Sequence, residues 1–78
     1  QINGRFADTL LYLYRVVYKA NPFNLTLSRK DLAEYTGVSV MSVIRAIREF
    51  KNDGIIDISG NRVEILNFSQ LERISRTG

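Results

Sequence analysis

A mainly α-helical domain with a small antiparallel β-sheet is what this chain predicts, and three stretches predict it. Between Ser28 and Asn52 two capped helical segments meet at a glycine. From Arg5 to Lys19 apolar residues recur at the helical period. From Ile55 to Leu66 two β-rich runs flank Ser59-Gly60-Asn61-Arg62. Size and composition bound the rest. The 78 residues make one small domain, and such chains bury only about 60 to 65% of their unfolded surface, which leaves no room for a deep enzyme cleft. The 45% apolar content argues against disorder and the 24% charged content against a membrane protein. Leu10 to Val17, the longest apolar-rich run, is interrupted by Arg15 and is far too short to span a bilayer. Cysteine and histidine are absent, so disulfides and the common zinc and haem ligand sets are excluded and a metal would need carboxylates alone. No catalytic constellation is predicted.

The first helix, 5–19, has Phe6, Leu10, Leu13 and Val17 on one stripe, with Asn3 or Gly4 at its start. Leu11, Tyr14 and Tyr18 form a second stripe. Two readings of it are open: a surface for a partner domain or subunit, or rim tyrosines with packed rings and wet hydroxyls. Asn21, pushed out of the α region by Pro22, ends the helix. Leu25-Thr26-Leu27 alternates and is expected to join the sheet as a third strand.

The pair of helices occupies 28–52. Ser28 is the expected N-cap, with Asp31 completing a capping box. Leu32, Ala33 and Tyr35 are expected to turn inward, Ala33 being small enough for a steep helix crossing. Gly37 suits the positive φ of a tight turn, and Ser39 caps the second helix. There Val43, Ile47 and Phe50 fall at i, i+4 and i+7, while Ser42, Arg45, Arg48 and Lys51 take the other face. Asn52-Asp53-Gly54 is a helix stop. The hairpin that follows, 55–66, is a wing, and a terminal helix over 69–75 is capped by Ser69 with Glu72 and docked by Leu71 and Ile74. The whole reads as a winged helix-turn-helix: three helices, a hairpin and a short last helix. Net charge is +3: residues 1–27 carry three basic and one acidic side chain, 28–52 five and three, 53–78 three and four. The excess leans toward the helix pair and favours an acidic partner.

Leu27-Ser28-Arg29-Lys30-Asp31-Leu32-Ala33, Gly37-Val38-Ser39, Val43-Ile44-Arg45, Asp53-Gly54-Ile55-Ile56 and Ile65-Leu66-Asn67 together resemble the C-terminal DNA-binding domain of the cyclic-AMP receptor protein and fumarate-nitrate regulator (Crp/Fnr) family of bacterial transcription factors. The resemblance runs from about Arg5 to Ile74. It implies a longer cytoplasmic regulator with an N-terminal sensor barrel, where a cyclic nucleotide or other effector binds, and a dimerisation helix. It also implies a homodimer, RNA polymerase as a further partner, no membrane, and no cofactor in this domain. The chain opens at Gln1-Ile2-Asn3-Gly4 without an initiator methionine, in keeping with a fragment. Where the family runs Ser-Arg-Glu-Thr-Val-x-Arg, this chain has Ser39-Val40-Met41-Ser42-Val43-Ile44-Arg45. Val40 and Met41 replace base-contacting charged residues, and Ile44 stands where glycine or serine is common, so no target sequence carries over.

The expected chemistry is duplex DNA binding. Ser28, Arg29, Lys30, Ser39, Ser42 and Arg62 are phosphate-binding candidates. Arg48 and Lys51 join them unless, with Glu49, they form only a solvated face. Arg45 is the expected reader of base edges, and Val40 and Met41 are candidates to pack on thymine methyls. The rival is a winged-helix protein-interaction module using Val40, Met41 and Ile44 as an apolar patch. Asp57 and Glu64 are expected to face one another across the hairpin as a surface pair.

Overall fold

In the computed structural model, which describes residues 1–77, the elements run α1 (Ile2–Tyr12) continued by π-helical turns over Leu13–Tyr18, then β1 (Phe23–Asn24), α2 (Arg29–Thr36) and α3 (Val40–Asn52). After these come β2 (Ile56–Ser59), β3 (Arg62–Ile65) and α4 (Phe68–Thr77). The sheet is antiparallel in the order β1-β3-β2. Asp57 pairs with Glu64 across the hairpin, as expected. At the turn Gly60 has φ +60°, a backbone that a side-chain-bearing residue adopts only at a cost. The third strand is Phe23–Asn24 rather than Leu25 to Leu27. Leu25 contributes one ladder bond, its N–H donating to the Asn61 carbonyl at 2.7 Å, before the chain turns into α2. Asn21 extends the same edge with its side chain, donating to and accepting from the Ile65 backbone at 3.0 and 2.8 Å.

The first helix departs from expectation in two ways. It begins at Ile2, so that Gly4 lies buried within it instead of capping it, and it loosens to π winding after Tyr12. A π turn closes on i+5 rather than i+4. Counting from the buried Leu13, the inward place therefore falls to Tyr18, and Val17 is turned out to 50% exposure. The expected stripe thus holds for Phe6, Leu10 and Leu13 and fails at Val17. The second stripe is not a free face: Leu11 is buried, and Tyr14 and Tyr18 pack against the core. Tyr14 meets Phe68 with ring centroids 5.0 Å apart, and Tyr18 stacks on Phe23 at 4.8 Å. The Tyr18 hydroxyl also accepts from the Thr26 N–H at 2.8 Å, so it is not left to water alone.

The helix pair follows its local chemistry closely. Ser28 Oγ accepts from the Asp31 N–H at 3.0 Å, and Asp31 Oδ2 accepts from the Ser28 N–H at 3.2 Å, a complete capping box. Gly37 takes φ +82° and its N–H returns to the Ala33 carbonyl at 2.8 Å. Leu32, Ala33 and Thr36 are the inward face of α2. Tyr35 is not part of it: at about 100° per residue it falls outside the arc those three define, and it stands half-exposed against Tyr12. Val43, Ala46, Ile47 and Phe50 bury α3, with Phe50 meeting Phe6 at 5.6 Å. At the end of α3 the Gly54 N–H donates to the Lys51 carbonyl at 3.1 Å and the Ile55 N–H to the Phe50 carbonyl at 2.9 Å. This is the Schellman closure that a left-handed Gly54 permits. The last helix starts one residue before the expected range and is capped by Asn67, not Ser69: Asn67 Oδ1 accepts from the Gln70 N–H at 3.1 Å. Leu71 and Ile74 dock it on the core as expected, and an Arg15–Glu72 ion pair ties it to the π turns.

Candidate nucleic-acid interface

One side of the molecule gathers the N-terminus of α2, the outer face of α3 and the wing. The α3 cap is built by Ser39, whose Oγ accepts from the Ser42 N–H at 3.1 Å and donates to Ser42 Oγ at 2.9 Å. The Ser42 hydroxyl proton is thereby left to point elsewhere. Val40 and Met41 occupy the first turn, exposed by 37% and 65%. Arg45 follows Met41 by one turn and Arg48 follows Ile44; both are exposed and neither forms an ion pair among the described residues. Glu49 is directed away from them, accepting from Asn3 Nδ2 at 3.0 Å, so the one carboxylate of α3 is held against α1. Of the three side chains that the solvated-face reading groups together, Glu49 is thus the one with a partner on α1.

Two cations do more than the sequence indicates. Arg29 Nη2 reaches the Gly60 carbonyl at the wing turn at 3.4 Å, and Lys51 Nζ donates to the Ile58 carbonyl at 3.2 Å. The start of α2 and the end of α3 are thus both tied to the wing. An ammonium carries three donors and a guanidinium five, so each keeps capacity for a phosphate. Together with Arg48 they rim a groove of about 360 Å³ floored by Ile44, Ile47 and Ile58. Ile44 is half-buried and lines that groove, one turn along α3 from Val40 and Met41. Lys30 is exposed at the first turn of α2 beside the Ser28 cap. Arg62 lies 3.7 Å from Glu64 on the same strand; an exposed pair of this kind is worth at most about 1 kcal/mol, so Arg62 exchanges partners readily. No group of three or more potential metal ligands exists among the described residues.

The arrangement offers hydrogen-bond donors and cations to an acidic partner. A helix pair joined at Gly37, its second helix buried on one side and cationic on the other, followed by a hairpin at its flank, defines a winged helix-turn-helix module. Residues 4–74 match the Crp-like helix-turn-helix domain. The chain belongs to that family, the DNA-binding domain of Crp/Fnr-type transcriptional regulators. It is 35% identical over 54 residues to the transcriptional activator protein Anr of Pseudomonas protegens, covering 69% of this chain and 22% of that protein. It is 34% identical over 50 residues to the transcriptional activator protein FnrA of Stutzerimonas stutzeri, covering 64% and 20%. Among solved structures, FixK2 from Bradyrhizobium japonicum superposes with a TM-score of 0.90 at 26% identity, over 100% of this chain and 40% of the other. The catabolite activator protein of Thermus thermophilus gives 0.82 at 26% identity, over 96% and 34%. The chain therefore spans about a fifth of the relatives it matches in sequence. The protein-interaction alternative gains nothing from these likenesses. No helix among the described residues is long and apolar enough to cross a membrane.

Proposed function

We propose that this chain reads duplex DNA sequence-specifically, with α3 in the major groove, as the DNA-binding part of a longer Crp/Fnr-type regulator. The observation that carries the reading is the sidedness of α3: Val43, Ala46, Ile47 and Phe50 are buried while Arg45 and Arg48 are exposed and unpaired among the described residues. Ser28, Arg29, Lys30, Ser39, Ser42, Arg48, Lys51 and Arg62 bind phosphates and set register; they carry no sequence information. Arg45 reads a base edge, where a bidentate contact to guanine is worth roughly 1–3 kcal/mol of discrimination. So few base contacts call for a homodimer that sets two recognition helices about 34 Å apart on a palindromic site.

The remainder of the regulator would supply the dimerising helix and a sensor for a cyclic nucleotide or other effector, and RNA polymerase would be a further partner in the cytoplasm. This domain itself would bind no cofactor and catalyse nothing. The test is fluorescence anisotropy with a mixed pool of short duplexes, titrated from about 50 to 200 mM salt. Each neutralised phosphate adds about −0.9 to the slope of log affinity against log salt, so even half of these contacts predict a loss on the order of 10²-fold. A flat response would instead support apolar docking to a protein.

A further inference from the structure

Val40 and Met41 are large apolar side chains exposed on the first turn of α3. The fold does not need them, because Val43, Ala46, Ile47 and Phe50 already fill the core side of the helix. Apolar surface is covered favourably only by another apolar surface. Here that surface must also tolerate the cations around it: Arg45 lies one turn along the helix, and Arg29, Arg48 and Lys51 rim the adjacent groove. A duplex major groove meets both demands, since the thymine C5-methyl is an apolar group set among base edges and flanked by phosphates.

Resting on the DNA-binding reading above, we infer that Val40 and Met41 are thymine-methyl readers and that the half-site carries thymine near the guanine taken by Arg45. Met41 and Arg45 are four residues apart, about 6 Å along a helix. With the helix lying in the major groove, that span keeps the thymine within a few base pairs of the guanine. Val40 is β-branched, and in a helix such a side chain strongly prefers one rotamer, which narrows the contact. Met41, with three rotatable bonds, fills the remaining gap.

The test uses half-sites selected by the 78-residue chain from random duplexes at low salt. Each selected thymine is then replaced by deoxyuridine, which removes only the methyl. Loss of one buried methyl is expected to weaken binding roughly fourfold at one or two positions. A Val40→Ala/Met41→Ala variant, checked by thermal melting for an intact fold, should show no such loss. A deoxyuridine penalty of equal size in both proteins overturns the inference, as does tight binding with no penalty at any thymine. If no duplex is enriched at low salt the DNA-binding reading itself fails, whereas enrichment with a steep salt response but no deoxyuridine penalty fails the methyl readout alone.

Discussion

Arg45 and Arg29 carry the same charge in different settings, and substitution separates their roles. Arg45 is exposed on the open face of α3, whereas Arg29 is half-buried with its guanidinium on the Gly60 carbonyl. Arg45→Ala is expected to lower the ratio of affinities for cognate over scrambled duplex by about tenfold, within the roughly 1–3 kcal/mol of one bidentate contact. Arg29→Ala should weaken both duplexes alike and reduce the salt slope by about 1. Competition anisotropy measures both, and equal losses on the two duplexes for both variants would remove base reading from Arg45. Gly37 governs the geometry behind them. At φ +82° a β-carbon would meet nothing nearer than the Arg5 guanidinium at 3.8 Å, so Gly37→Ala costs backbone strain and not a clash. Urea denaturation should report about 1 kcal/mol.

The elements record which signals are local. Two caps were available at the last helix, since Asn67 stands three residues before Gln70 and Ser69 three before Glu72. The chain uses the earlier one, which adds Phe68 and Ser69 to the helix and brings Phe68 against Tyr14. Asn67→Ala should therefore destabilise by about 1 kcal/mol, while Ser69→Ala, at an exposed helix position, stays within about 0.5 kcal/mol; chemical denaturation of the pair decides. The capping box at Ser28, the stops at Gly37 and Gly54 and the hairpin at Gly60 were all legible, because each depends on residues within a few positions of one another. The π winding was not, because the apolar residues of the first helix fit an α period as well, and only packing decides between Val17 and Tyr18. Nor were the wing contacts of Arg29 and Lys51: the first joins residues 31 apart in sequence, and neither motif nor period announces it. The exposed cations of α3 were thus legible as types on a helix face, and the tethering of Arg29 and Lys51 to the wing was not.

As a whole molecule the domain has little stability to spare. At about 0.05–0.15 kcal/mol per residue, a chain of this length holds roughly 4–12 kcal/mol. Phe50 is fully buried against Phe6 and closes the end of α3 through its carbonyl. Phe50→Ala should cost about 3–5 kcal/mol, and thermal melting is expected to find its midpoint lowered by roughly 15–30 °C while Arg45→Ala melts with the parent. The bonds from Arg29 and Lys51 to the wing bear on this molecule in another way. Long basic side chains free in solvent must be immobilised on arrival at a ligand, at roughly 0.5–1.5 kcal/mol each. Here folding has already restricted them. On the DNA-binding proposal, a phosphate arriving at this groove would meet cations already leaning on the wing, and what is left to order at encounter would be chiefly the nucleic acid and its departing counterions.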